Sequence, residues 1–264
     1  MSRIVNLSLK VNNIEKTGDF YQKMFNFQDA ETKKTRDHAA RHMTDGEIDF
    51  TLLTYDDDAN SAESTATGAG PGPCIHHFGI EVEDLEKATK EIQANGCVLV
   101  SDPGVIPVRF RALGGTIAEL VEIGHNKSGS GGQKICRITH ISLKVEDIKA
   151  VGDFYIKLFN FRDTETKKTR DHTSRHMTDG KIDFTLIKYD ADTTSAESIA
   201  SGEGPCIHHF AVEVEDLMQS TKDIVSLGCK IISDPGVIPV KFRDPGGTIA
   251  ELVGMGRYTQ LGMY

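Results

Sequence analysis

No apolar run in this 264-residue chain approaches the roughly 20 residues that a membrane-spanning helix needs. The opening stretch, MSRIVNLSLKV, carries Lys10 within its apolar residues and has no small-residue cleavage site, so it does not read as a signal peptide. Positive charge is also in short supply. Thirty Lys and Arg stand against 39 Asp and Glu, a formal net charge of −9, which leaves no electrostatic footprint for nucleic acid or for an anionic membrane surface. Acidity of this kind is a solubility feature and specifies no partner. The cysteines (Cys74, Cys97, Cys136, Cys206 and Cys229) are odd in number and lack CxxC spacing, so reduced thiols in a cytoplasmic protein are expected. A phosphate-cradling loop is missing too: GAGPGP at 68–73 precedes a strand and not a helix. What remains, 38% hydrophobic and 26% charged residues, is the composition of an ordinary globular protein.

Against these absences stands one dominant presence, an internal repeat. RIVNLSLKV at 3–11 returns as RITHISLKV at 137–145, and PCIHHFGIEVEDL at 73–85 returns as PCIHHFAVEVEDL at 205–217. The long stretch FNFQDAETKKTRDHAARHMTDGEIDFTLL at 25–53 returns at 159–187, and SDPGVIPVRF at 101–110 returns at 233–242. Leu9 maps to Leu143 at an offset of 134 and His77 to His209 at an offset of 132, the slip falling in the Gly-rich stretch before PCIHHF. Roughly two-thirds of aligned positions are identical, far more than shared patterning gives. The expected organisation is a first domain over 1–126, a flexible Gly/Ser/Lys linker at 127–134 and a second domain over 135–264.

Each copy has its own internal order. LSLKV and ISLKV alternate as strands do, and each leads into an amphipathic helix, IEKTGDFYQKMFNF or IKAVGDFYIKLFNF. Three strand-like stretches follow in the first copy: QDAETKK, the ARHMTDG region and IDFTLLTY. IHHFGIEVE then starts the order again, with the helix LEKATKEIQANG and strands in CVLVSD, VIPVRF and TIAELVEI. The chain thus contains four β-α-β-β-β modules. The fold class is α+β: curved, half-open sheets forming cups, with helices on their outer faces.

Chemistry is sought among polar residues on strands that should face inward. His140 lies on the first strand of one module and His209 on the first strand of the next, each followed by an apolar–small–apolar triplet. The shared position directs both imidazoles into one cavity. Glu251 lies in the apolar strand GGTIAELV, where a carboxylate is costly to bury unless paired or metal-bound. Two imidazoles and one carboxylate from different strands suit a divalent first-row metal with open coordination positions.

The βαβββ modules, the first-strand histidines and the closing DPGG-x-x-x-E-L of FRDPGGTIAEL (242–252) resemble the vicinal oxygen chelate superfamily over essentially the whole chain. That superfamily includes glyoxalase I, methylmalonyl-CoA epimerase, fosfomycin-resistance proteins and type I extradiol dioxygenases. The resemblance implies that His140, His209 and Glu251 take the metal-ligand places, which Asn6, His77 and Glu119 hold in the first copy. An amide is a poor ligand beside imidazole, and Ala112-Leu113 also replace the Asp-Pro of the turn, so one metal site and not two is expected. Modules of this superfamily also pair across domains, and a swapped arrangement would join His140 to His77 and Glu119. The pairing within the second copy is favoured because that copy keeps both the histidine and the DPGG turn.

Isomerases and epimerases of the superfamily take a fourth Glu or Gln ligand from the last strand of the first module, where this chain has Thr51 and Thr185. A three-ligand site leaves room for a bidentate oxygen substrate and for dioxygen. The resemblance therefore implies an Fe(II) extradiol-dioxygenase-like enzyme acting on a catechol-like substrate, with Mn, Zn, Ni or Co as alternative metals. The competing implications are a metal-dependent isomerase, lyase or thiol transferase, or a non-catalytic small-molecule-binding protein. His172 and His176 in TRDHTSRHMTDG are the candidate acid–base residues and Tyr189 a candidate for orienting substrate, whereas His208 should face away from the site. Expected partners are a small-molecule substrate and dioxygen, with no nucleic acid and no membrane; a homo-oligomer is compatible with this reading.

Overall fold

The computed structural model describes residues 2–35, 37–57, 59, 61–65, 72–125 and 136–258, so the expected linker at 127–134 lies outside the described residues. The first module of the first repeat comprises β1 (Arg3–Lys10), α1 (Ile14–Phe25), β2 (Gln28–Lys34), β3 (His38–Thr44) and β4 (Asp49–Tyr55), followed by a short helix α2 (Ala62–Thr65). Its second module comprises β5 (Cys74–Val82), α3 (Leu85–Ala94), β6 (Val98–Leu99), β7 (Val108–Arg111) and β8 (Ile117–Glu122). The second repeat follows the same order: β9 (Ile138–Lys144), α4 (Ile148–Phe159), β10 (Arg162–Lys168), β11 (His172–Thr178), β12 (Asp183–Tyr189) and α5 (Ala196–Ala200). It closes with β13 (Cys206–Val214), α6 (Leu217–Ser226), β14 (Lys230–Ile231), β15 (Val240–Arg243) and β16 (Ile249–Gly254).

Local chemistry fixes the long helices. Asn13 and Asp147 accept from the backbone N–H three residues on, capping the first turns of α1 and α4. Asn26 and Asn160 end those helices in the left-handed region, at φ of 59° and 61°. The expected strand in CVLVSD shrinks to Val98–Leu99, because the N–H groups of both Val100 and Ser101 turn to the Arg109 carbonyl. VIPVRF contributes a strand only from Val108, since Pro107 has no N–H to donate to a ladder. The short helices α2 and α5 follow no strong periodic signal and were not expected.

Within each repeat the first strands of the two modules pair: β1 runs antiparallel to β5, and β9 to β13. The first repeat therefore forms one sheet in the order β2-β3-β4-β1-β5-β8-β7-β6, and the second forms β10-β11-β12-β9-β13-β16-β15-β14. A single bridge, Ile207 to Ile75, joins them through β13 and β5. The helices lie outside, and one hydrophobic cluster runs through both repeats. Tyr21 of α1 packs on Phe210, and Phe78 packs on Tyr155 of α4 and on Phe184. Polar ties cross as well. The Ile4 N–H donates to Asp179 Oδ2 at 2.7 Å, and the Ile138 N–H donates to Asp45 Oδ2 at 2.6 Å. Among the described residues no helix is long and apolar enough to cross a membrane.

Candidate metal centre

The register of β9 and β13 places Ala211 opposite His140 and His209 opposite Ser142, and β16 brings Glu251 alongside Ala211. His140, His209 and Glu251 consequently converge in the cup of the second repeat, each with a ligating atom within 4.8 Å of the others. His140 Nε2 lies 3.1 Å from His209 Nε2, and His209 Nε2 lies 3.3 Å from Glu251 Oε2. All three side chains are buried. No other cluster of this kind occurs among the described residues. The swapped set is not assembled: His77 pairs with Glu119 at 3.2 Å, within its own repeat.

Each converging group is held from behind. Asp183 Oδ2 accepts from His140 Nδ1 at 2.6 Å, so the proton of that imidazole sits on Nδ1 and the Nε2 lone pair faces the cup. A carboxylate behind a histidine is the recurrent support for a metal-ligating imidazole. His209 Nδ1 meets His208 Nδ1 at 2.7 Å, and His208 Nε2 meets the Tyr189 hydroxyl at 3.0 Å. In one pattern His209 donates from Nε2 to Glu251. In the other it donates from Nδ1 to His208, His208 donates to Tyr189, and the His209 Nε2 lone pair is free for a cation; the proton count is the same in both. Burial first, then the nearby Lys241 charge, drives the His209 pKa down to about 3, so it is a neutral ligand at pH 7.

Glu251 is divided between its two oxygens. Oε1 accepts from the Tyr258 hydroxyl at 2.8 Å, and Oε2 lies 2.8 Å from Lys241 Nζ. Burial opposes its charge, but Lys241 together with His209 and His140 outweighs burial and holds the carboxyl well below its ordinary range. Lys241 in turn reaches Glu197 Oε2 at 3.3 Å. Three carboxylates (Glu251, Asp183 and Glu197) thus surround one ammonium and two histidines. A divalent cation between His140, His209 and Glu251 would close that charge deficit and satisfy two facing imidazole nitrogens, so the residues fit such an ion.

The first repeat is built differently at the same place. Asn6 Nδ2 donates to the Asp49 carbonyl at 3.1 Å and its Oδ1 accepts from Ser8 Oγ, also at 3.1 Å, which ties the amide to its own neighbourhood. Arg109, the counterpart of Lys241, donates from Nε to Glu119 Oε2 at 3.1 Å and forms a second ion pair with Glu63. Burial raises the Glu119 pKa, but the surrounding partners more than reverse it, to about 2. His77 and then Arg109 are the partners that keep Glu119 ionised, while burial lowers the pKa of His77 itself.

A cavity of about 780 Å³ opens from the second cup, and His140, His172, His176, Lys241, Glu251 and Tyr258 contribute to its walls. His176 Nδ1 lies 2.8 Å from the Thr185 hydroxyl and 3.1 Å from Asp183. His172 Nδ1 lies 2.9 Å from Asp171 Oδ1. Tyr189 is not among the lining residues and reaches the site only through His208. His208 is not among the lining residues either: it is buried behind His209, on the side of β13 away from the cavity. Thr169, Arg170, Asp171 and Ser174 of TRDHTSRHMTDG also line the cavity, whereas its Arg175 is structural. Arg175 joins Asp153 and Asp163, lying so close over Gly152 that a Cβ there would meet its guanidinium, and Arg41 repeats this over Gly18. Sequence reasoning missed Lys241 and Tyr258; burial of a Lys on an inward strand face was the available signal for the first.

A protein of paired βαβββ cups with a two-histidine, one-carboxylate cluster in one cup is thereby defined. Residues 3–111 and 137–252 match the Glyoxalase/Bleomycin resistance protein/Dioxygenase superfamily, and the chain belongs to it. A curated relative, a probable chloroplastic lactoylglutathione lyase from Arabidopsis thaliana, is 26% identical over 186 residues, covering 65% of this chain. The match covers 47% of that protein, so the chain spans about half the length of this relative. A mutant 4-hydroxymandelate synthase from Streptomyces coelicolor superposes with a TM-score of 0.72 at 14% identity, covering 96% of this chain and 92% of that one. The Mn(II)-bound glyoxalase from Novosphingobium aromaticivorans superposes with a TM-score of 0.65 at 14% identity, covering 96% and 83%. At these identities the solved structures are similar in fold.

Proposed function

We propose that the chain is a divalent-metal-dependent enzyme with one site, in the second repeat, and that with Fe(II) it oxygenates a small catechol-like or other vicinal-oxygen substrate. The observation that carries this reading is the three-ligand cluster of His140, His209 and Glu251 at the floor of an open cavity. Thr185, on the strand from which a fourth ligand would come, is already engaged by His176 and Asp183. When bound, the metal would chelate the two substrate oxygens, lower the pKa of a substrate hydroxyl and leave a position open to dioxygen. Asp183 orients His140, and the His208–Tyr189 pair orients His209. Lys241 and Tyr258 hold the two oxygens of Glu251. His176 and His172, on the cavity wall, take the proton released by the substrate hydroxyl; Tyr189 acts as a positioning residue.

The lactoylglutathione lyase relative favours a second reading, a metal-dependent isomerase or lyase that works without dioxygen and with Mn, Zn, Ni or Co. One experiment separates them. The chain is loaded anaerobically with Fe(II) or Mn(II), then assayed for oxygen uptake with a panel of catechols and for isomerisation of the methylglyoxal–glutathione adduct. Oxygen uptake matched to substrate loss supports the oxygenase. Turnover of the adduct under argon replaces it with the isomerase, and metal uptake near zero points to a small-molecule-binding protein.

A further inference from the structure

After β16 the chain turns back over the cup, and it does so by specific ties. The Met255 N–H donates to the Val214 carbonyl at 3.1 Å, and the Gly256 N–H donates to Glu213 Oε2 at 2.8 Å. The turn delivers Tyr258 onto the site. Its hydroxyl donates to Glu251 Oε1 at 2.8 Å, and its ring lies parallel to the His140 imidazole, with centroids 4.7 Å apart and planes 6° apart. Only 7% of Tyr258 is exposed, and with Ala211 and Val253 it forms a small apolar cluster separate from the main core. The repeat does not supply this residue: ELVGMGRY in the second copy aligns with ELVEIGHN in the first, which places Asn126 at the equivalent position.

We propose that Tyr258 is a positioning residue that fixes two of the three metal ligands at once, making the segment after β16 a working part of the second cup. The inference rests on the metal-site reading above. A carboxylate on a strand can rotate about its last bond and present either oxygen. Tyr258 occupies Oε1, so the oxygen that faces the cation is Oε2, which lies 3.3 Å from His209 Nε2 and keeps a lone pair beside its 2.8 Å contact with Lys241 Nζ. The same ring covers one face of His140 and limits its rotation, while Asp183 fixes its edge. One side chain therefore couples Glu251 to His140, which come from different modules, and it shields the cluster from water. Ligand positioning of this kind is worth about 10- to 100-fold in metal affinity.

The test uses the full chain and Co(II), whose visible absorption reports both occupancy and coordination geometry. Affinity is measured by competition with a chelator for the parent protein, Tyr258→Phe and Tyr258→Ala. Tyr258→Phe keeps the stack and loses the hydrogen bond, so about a 10-fold weaker affinity and a shifted absorption band are expected; Tyr258→Ala loses both and should weaken binding about 100-fold. Parent-like affinity and spectrum in both variants, with the parent binding Co(II), would overturn the role of Tyr258 alone. No Co(II) binding by the parent protein would instead remove the metal reading itself. Tyr258→Phe keeps the apolar cluster intact and so remains decisive if Tyr258→Ala folds poorly.

Discussion

In the first cup an arginine and two glutamates close the space with protein charge, whereas in the second a lysine takes the arginine position and two imidazoles face one another. The scaffold behind them is the same. Tyr55, His76 and His77 form the chain of contacts that Tyr189, His208 and His209 form in the other repeat, at 3.1 and 2.7 Å against 3.0 and 2.7 Å. The histidine pair is therefore a property of the fold and does not by itself make a metal site. Three differences set the second cup apart: His140 against Asn6, Lys241 against Arg109, and Tyr258, which aligns with Asn126 of the first copy. Asp49 holds His42 and Thr51 as Asp183 holds His176 and Thr185, but it has no imidazole at position 6 to hold as well, and its hydrogen bond raises the His42 pKa. Formal charge is alike in the two cups, one cation against three carboxylates, so the facing pair of imidazoles is what sets the second apart.

The largest contrast should come from the residues that differ between the cups. His140→Ala removes one of three ligands and is expected to weaken metal binding by more than about 100-fold, beyond the range of outer-shell changes. Asn6→Ala should leave it unchanged. Equal losses in chelator competition would mean that both cups take part in one site.

The paired glutamates sharpen the contrast in a second way. Glu251→Gln should release the metal, while Glu119→Gln should keep it and cost stability. The folded-state pKa of Glu119, about 2, is depressed from 4.5, so its stabilisation is fully present above pH 4.5 and is lost as pH falls towards 2. Denaturant titrations at pH 7 and pH 3 should show Glu119→Gln destabilised at neutral pH, with the deficit shrinking in acid. Metal loss from Glu119→Gln, with Glu251→Gln unaffected, would instead support the swapped pairing.

A gain of function breaks the comparison from the other side. Asn6→His together with Arg109→Lys places the missing imidazole beside Asp49, His77 and Glu119, and a second, weaker equivalent of Co(II) should bind. Its affinity should stay below that of the natural site because the sequence places Asn126, not a tyrosine, at the position of Tyr258. Stoichiometry unchanged in a folded double variant would show that more than these two positions separates the cups.

The smallest expected effect concerns packing between repeats. Tyr21 donates to Asp244 Oδ2 at 2.7 Å, but Ala112 stands where Asp244 has its counterpart, and among the described residues the buried Tyr155 hydroxyl has no carboxylate partner and at most a weak contact with Thr116. Tyr21→Phe should cost about 1 to 2 kcal/mol because it leaves a buried carboxylate short of a donor. Tyr155→Phe should be neutral or slightly stabilising. Comparable losses in thermal denaturation would mean that Tyr155 has a polar partner after all.

Much of this was legible in the sequence because a repeated pattern reports its own architecture. LSLKV, ISLKV and the amphipathic helices mark the modules, and His140, His209 and Glu251 stand out as polar residues on apolar strands. Other features were illegible for physical reasons. That His208 points away from the cavity follows from alternation, but its bonds to His209 and Tyr189 could not be read from the sequence. Lys241 reads as an ordinary polar residue in VIPVKF, and only the folded strand shows its ammonium against Glu251 and Glu197. Tyr258 lies beyond the last conspicuous motif, where no copy marks it. The shared core was also hidden, since Tyr21 and Asp244 are 223 residues apart in the chain and meet only when the repeats pack.

The most direct test is the number of metal ions that one chain holds. Protein loaded anaerobically with Co(II) or Fe(II), freed of loosely bound ions and analysed for metal and protein together, should contain one equivalent per chain, removable by chelator in a single phase. Two equivalents of similar affinity would show that Asn6 serves as a ligand and that the cups are alike. Less than about a tenth of an equivalent in a fully folded protein would contradict the metal site altogether.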